Sequence, residues 1–199
     1  MYNYFGDKMN TIKNNINNTI IVNKSTFITE IIKIKNKEEA MQELTKVKEK
    51  YKDASHYCYA YIIDDNKKSS DDGEPGGTAG IPIMEVLTKF ELNYIICIVI
   101  RYFGGIKLGA GGLIRTYRKA VISAINNNKN NIVSLIDGYN LIIEIPYSEQ
   151  KELEFILKEN YSKEYKEKVI YNIKCDIITK KLLEQKYKIK EEEKIKIER

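Results

Sequence analysis

The sequence predicts an α+β chain in two parts, and three observations predict it. Short runs rich in β-branched and aromatic residues, at 19–22, 26–34, 57–63 and 94–100, are separated by segments with helical apolar spacing. The run NNNKNN at 126–131 is the clearest breaker in the chain, and Asp137-Gly138 follows it closely. Beyond that point the order reads strand, helix, strand, helix and a last strand, which suits a small ferredoxin-like sandwich. We therefore expect one domain at 1–137 and a second at 138–199.

The first two runs, divided by Asn23-Lys24-Ser25, read as a strand pair. Asn36 is a good helix cap with Glu39 three residues on, and Ala40, Leu44, Val47 and Tyr51 recur on one face, which predicts a helix ending near Lys52. Tyr57, Tyr59 and Tyr61, at period two, mark one face of the next strand. It feeds the polar stretch 64–80, DDNKKSSDDGEPGGTAG. Read as a single loop, this exceeds the ~12–15 residues beyond which a loop is usually functional or disordered, and the strong elements on both sides favour function. Residues 81–90 read as a short helix with Pro82 in its first turn. The run 94–100 is continuously apolar, as a central strand buried on both faces would be. RYFGGIKLGAGG, 101–112, then opens a helix at 113–125 with Leu113, Tyr117, Val121 and Ala124 as its stripe. In the second part we expect a strand at 139–145, a helix capped by Ser148 with Leu153, Ile156 and Leu157 inward, a strand at 168–176, a helix around 180–187 and a strand at 194–197.

With 43% apolar and 31% charged residues among 199, the chain has the profile of a folded protein and not of a disordered one. Cys58, Cys97 and Cys175 are odd in number and far apart, with no CxxC pair, so they read as buried thiols in a reducing compartment. The opening MYNYFGDKMNTIKNN has no apolar core of signal-peptide length, and the longest apolar run is far short of the ~20 residues that span a bilayer. A cytoplasmic protein without a membrane partner is expected.

The net charge of +5 is too mild to declare a nucleic-acid binder, so its distribution matters more. Between Leu92 and Ile136 there is no acidic residue, while Arg101, Lys107, Arg115, Arg118, Lys119 and Lys129 fall inside. Upstream, Asp64, Asp65, Asp71, Asp72 and Glu74 crowd one segment. Gly104, Gly105, Gly109 and Gly111 let the backbone turn tightly and present N–H groups, and Gly112 opens a helix whose dipole favours an anion. Lys107 lies in this loop, Arg101 enters it, and Arg115, Arg118 and Lys119 share a helix face. Phosphate or carboxylate is the natural ligand. The rival reading is that the glycines permit close packing and the basic face is merely solvated.

Ala110 stands where a P-loop needs lysine, and GGIKLGAGG is no GxGxxG fingerprint, so no nucleotide cofactor is expected. Asp71, Asp72 and Glu74 either hold a magnesium ion together with substrate phosphate, or pair with Arg101 or Arg115 and accept N–H bonds of the turn around Gly73, Pro75 and Thr78. The lack of a further His or carboxylate cluster favours the second, and no metal is assigned. His56, the only histidine, lies beside Ser55 and Cys58. Residues so close on a strand rarely have the geometry of a nucleophile and its base, so it reads as a packed or hydrogen-bonded histidine, and no catalytic residue is assigned.

The strings DDGEPGGTAGIPIMEVL and IVIRYFGGIKLGAGGLIRTYRKA closely resemble the signature of the YigZ/IMPACT family, dense over residues 55–120 and weaker at KSTFIT, 24–29. Departures are Tyr57 where Asn is usual, Gly76 for Ser, Ile100 for Thr and Thr116 for Ala; Gly76 removes the hydroxyl of any serine nucleophile there. The resemblance implies a first domain with the fold shared by the second domain of a small-subunit ribosomal protein, domain IV of elongation factor G and the GHMP kinases, and a second, ferredoxin-like domain similar to domain V of elongation factor G. Both likenesses point to translation. Three functions follow as expectations: binding to RNA, the ribosome or a translation-factor surface through the basic Gly loop and helix; an enzyme or sensor of a small phosphorylated ligand, with or without magnesium; and a protein-interaction adaptor. The oligomeric state is not readable from the sequence.

Overall fold

The computed structural model describes residues 9–199. Residues 1–8, part of the stretch read for a targeting signal and of the first expected domain, lie outside it. The chain forms two compact units, which divide between Ser134 and Leu135.

In the first unit, β1 (Met9–Ile12) is followed by β2 (Ile16–Val22), β3 (Ser25–Lys33), α1 (Lys37–Lys50), β4 (His56–Ile63), β5 (Asn66–Ser70), α2 (Gly80–Lys89), β6 (Ile95–Tyr102) and α3 (Gly109–Asn126). An antiparallel sheet runs in the order β2-β3-β6-β4-β5. Strand β6 sits at its centre with helices over both faces. Side chains alternate along a strand, so Ile95, Cys97 and Val99 join one core with α2 and α3, while Ile96, Ile98 and Ile100 join another with α1. All six are fully buried. The unbroken apolar run was therefore the mark of a strand covered on both faces.

Local chemistry sets the helix ends. The Asn36 side chain accepts from Glu39 N at 2.8 Å, and Glu39 reaches back to Lys35 N, so α1 is capped by short bonds at the predicted residue. The stretch 64–80 is not one loop. Residues 66–70 pair with β4 as an edge strand, through a turn in which Asp64 takes a positive φ of 49°. Its sequence NKKSS lacks apolar alternation because its residues are exposed or half-buried. Helix α3 starts at Gly109 rather than 113, so four residues read as loop are its first turn.

The second unit holds β7 (Ile132–Ile145, which begins before the division), α4 (Gln150–Leu157), β8 (Tyr161–Tyr165), β9 (Val169–Asp176), α5 (Ile177–Glu184) and β10 (Ile189–Glu198). Its strands pair antiparallel in the order β10-β7-β9-β8, the ferredoxin-like arrangement. Leu141, Ile143, Leu153, Tyr171, Ile173 and Leu183 form its core. Ser148 does not cap α4: residues 147–149 make a separate 3₁₀ turn and the helix follows without a side-chain cap. The second helix lies earlier than expected because Asp176 caps it, accepting from Thr179 N at 2.8 Å. Strand β8, YSKEY, lies almost wholly exposed at the sheet edge and carries no apolar period by which to find it. Among the described residues, no helix is long and apolar enough to cross a membrane.

Candidate functional site

The end of β6, the start of β4, the turn after β5 and the loop entering α3 meet in the first unit. Antiparallel pairing sets His56 of β4 opposite Arg101 of β6. The turn 71–79 is tied down from inside. Asp71 Oδ1 accepts from Ala79 N (2.9 Å) and Gly80 N (2.8 Å), and Oδ2 from Gly77 N (2.8 Å). Partial burial opposes the Asp71 charge, but the donors Gly77, Gly80 and Ala79 outweigh it and hold the carboxyl below its ordinary value. Asp72 Oδ2 accepts from Tyr57 N at 2.7 Å, and Lys48 stands 3.3 Å from its other oxygen. Thr78 is buried, its hydroxyl donating to the Pro75 carbonyl at 2.6 Å, and Gly73 takes a positive φ beside the His56 ring.

Glu74, aimed inward by this turn, is buried with Arg101. Arg101 Nη1 donates to Glu74 Oε1 at 2.7 Å and the Tyr117 hydroxyl donates to the same oxygen at 2.8 Å. Burial, and then Cys58 and Glu74, push the Tyr117 hydroxyl far above its ordinary value, so it remains a donor. Cys58 lies 2.9 Å from the Asp71 carbonyl and 3.3 Å from the Tyr117 hydroxyl; burial above all pushes its thiol up to about 12. Glu74 Oε2 lies 3.8 Å from His56 Nε2, while His56 Nδ1 is 2.8 Å from the Asp72 carbonyl oxygen. The Arg101 guanidinium sits 5.4 Å from the ring centres of both Phe27 and Phe103, and its Nε is buried without a hydrogen-bond partner among the described residues.

Above this pair opens a hollow of about 400 Å³, lined by His56, Glu74, Pro75, Arg101, Phe103, Lys107, Leu108, Gly109, Ala110 and Leu113. The loop at its mouth is held by serines, with Phe103 N donating to Ser55 Oγ and Gly104 N to Ser25 Oγ, both at 3.1 Å. Gly104 lies so close to the β2–β3 turn that a Cβ there would fall 2.0 Å from the Lys24 carbonyl carbon. Its role is packing, and its amide is already taken. Gly105 and Gly109 are exposed and take positive φ, while Gly111 and Gly112 belong to the first turn of α3. No side chain caps that helix, and its first residues, Gly109 and Ala110, line the hollow.

The basic residues do not act as one set. Arg101 is answered by Glu74, and Arg118 by Glu85 of α2 through Nε (3.0 Å) and Nη2. The stretch without acids therefore borrows acids from earlier in the chain. Lys107, Arg115 and Lys119 are exposed and make no ion pair among the described residues. Of the acidic loop, Glu74 pairs with Arg101 and none of the three carboxylates pairs with Arg115. Among the described residues no group of three or more His, Cys, Asp or Glu is placed to hold a metal ion. Sequence reasoning missed the approach of His56 to Glu74, because the partners come together only through the β4–β5 hairpin. It also missed Phe103, whose 48% exposure beside a buried arginine has no signature in spacing.

The fold and site define a two-domain α+β protein with a basic-rimmed hollow on its first domain. The Impact N-terminal domain family matches residues 23–125, which contain every residue lining that hollow. YvyE of Bacillus subtilis (strain 168), an IMPACT family member, is 39% identical over 168 residues, spanning 80% of this chain and 75% of YvyE. YigZ of Escherichia coli (strain K12), another member, is 38% identical over 109 residues, 52% of this chain and 53% of YigZ. This chain belongs to the IMPACT family, as its two glycine-bearing motifs implied. A crystal structure titled only as that of a hypothetical protein is similar with a TM-score of 0.61 and 24% identity, covering 92% of this chain and 97% of its own, a likeness of fold alone.

Proposed function

We propose that this chain is a translation-associated regulatory protein that binds RNA, on the ribosome or free, through the face formed by residues 103–119. The observation that carries this reading is an exposed aromatic ring, Phe103, which lines the hollow with Lys107, in a segment whose exposed cations, Lys107, Arg115 and Lys119, make no ion pair among the described residues. Bases stack on such rings, and phosphates neutralise such cations. Ile106, 43% exposed, extends the apolar part of the same loop. Family membership points the same way, since the family resemblance implies translation.

Titration of a fluorescent single-stranded ribo-oligonucleotide at several salt concentrations tests it. Binding should weaken steeply as salt rises, and Lys107→Ala and Arg115→Ala should each flatten the log–log slope by about 1. No binding at low salt, or unchanged slopes in both variants, contradicts the reading. A second reading, a small phosphorylated ligand in the hollow, is favoured by the uncapped start of α3 and the unpartnered Arg101 Nε. Thermal-shift screening with nucleotides and sugar phosphates separates the two: stabilisation by monomers, lost in Arg101→Met, selects the second.

A further inference from the structure

The floor of the hollow carries more chemistry than phosphate contacts along α3 require. The Asp72 carbonyl can only accept, so His56 Nδ1, 2.8 Å away, carries the hydrogen and Nε2 is the nitrogen that gains or loses a proton. Nε2 stands 3.8 Å from Glu74 Oε2. Because Oε1 of that carboxylate already accepts from Arg101 and Tyr117, Oε2 is the oxygen left to face an imidazolium. The Glu74 side chain is 3% exposed, in a turn tied by Asp71, so the pair is pre-positioned. Charged groups that line the hollow beside this point are Glu74 from the turn, Arg101 from β6 and Lys107 from the loop before α3, while the Asp72 carboxylate is turned to Tyr57 N and Lys48.

The lining of the hollow contains a proton-accepting nitrogen, a carboxylate and two cations, but no serine, threonine or cysteine. With no side-chain nucleophile in the lining, the attacking oxygen comes either from water or from a substrate that brings its own. An RNA phosphodiester does, through the 2′-hydroxyl beside its phosphate, and the DNA equivalent does not.

We infer that the hollow is an RNA-cleaving site with His56 as general base, an inference that rests on the RNA-binding reading above. His56 Nε2 takes the proton of the 2′-hydroxyl, and the 2′-oxygen attacks phosphorus. The bond from the 2′-oxygen to phosphorus forms as the bond to the 5′-oxygen breaks. The departing 5′-oxygen, on the opposite side of phosphorus, takes its proton from water, and the imidazolium, steadied by Glu74 Oε2, gives its own up to solvent. The products are a 2′,3′-cyclic phosphate and a 5′-hydroxyl end, with no co-reactant consumed. Arg101, Lys107 and the first amides of α3 balance the negative charge that grows on the phosphoryl oxygens.

The test incubates the purified full chain with a short ribo-oligonucleotide and with its all-deoxy counterpart, measuring binding by anisotropy and products by mass spectrometry. The expected result is that both bind and only the ribo-oligonucleotide is cut, leaving a cyclic phosphate. His56→Gln should slow cutting about 100-fold or more with binding retained. Lys107→Ala, a change at an exposed position, should slow it too. RNA bound but left intact, or cut equally fast by His56→Gln, overturns the cleavage site and leaves the binding reading standing. No binding of either oligonucleotide overturns both.

Discussion

The two units handle charge in opposite ways. In the first, Glu74 and Arg101 are taken out of water together, with Tyr117, Cys58 and the turn 71–79 arranged around them. In the second, charges stay at the surface, in pairs such as Lys186–Glu152 and Lys190–Glu144, over an apolar core of leucine, isoleucine and tyrosine. Burying a salt bridge rarely gains stability over an apolar substitute, because desolvation offsets most of the attraction. The first unit thus accepts a costly arrangement at the place where the hollow opens, whereas the second is built as a plain scaffold. That contrast supports placing the proposed function in the first unit.

The sharpest way to break the contrast is to remove one partner of the buried pair. Arg101→Ala should lower unfolding free energy by about 3–5 kcal/mol, read by urea denaturation, because it leaves the Glu74 carboxylate buried alone. A loss no larger than that of a surface pair would erase the distinction between the units. Gly104→Ala should come next. The added methyl meets backbone of the β2–β3 turn and not a yielding side chain, so a loss of about 1–3 kcal/mol is expected, toward the upper end.

Asp71→Asn sharpens the comparison through pH. The folded-state pKa of Asp71 lies below its ordinary value of 3.8, so the charged form contributes stability that is fully present above 3.8 and lost as pH falls through the lower folded value. The gap between wild type and variant, about 1.5–3 kcal/mol at neutral pH for hydrogen bonds to a charged group, should narrow only in that acid range. A gap constant down to pH 2 would contradict the role given to the carboxylate. The smallest effect belongs to the second unit. Lys186→Ala removes a fully solvated partner of Glu152 and should leave the denaturation midpoint unresolved from wild type.

How much of this was legible depended on whether burial was local or assembled. Strand β6 could be read because each of its faces is apolar, and α1 because Asn36 and Glu39 cap it within four residues. Strands β5 and β8 could not, since edge positions leave NKKSS and YSKEY free to be polar. The first turn of α3 was hidden by glycines whose helix is held from further along, by Leu113 and Tyr117 in the core. At the site, the glycine loop and its cations stood out in sequence. Which of them are free did not: Arg101 and Arg118 are answered by Glu74 and Glu85, acids that lie 27 and 33 positions away. Only the fold reduces five cations to the three that make no ion pair among the described residues.

The most direct measurement is ultraviolet cross-linking of a 4-thiouridine ribo-oligonucleotide to the full chain, followed by peptide mapping. Cross-links concentrated at Phe103 and within 103–119 are the predicted outcome. Cross-links confined to Leu135–Arg199 would place the RNA surface on the scaffold unit and contradict the assignment of function to the first.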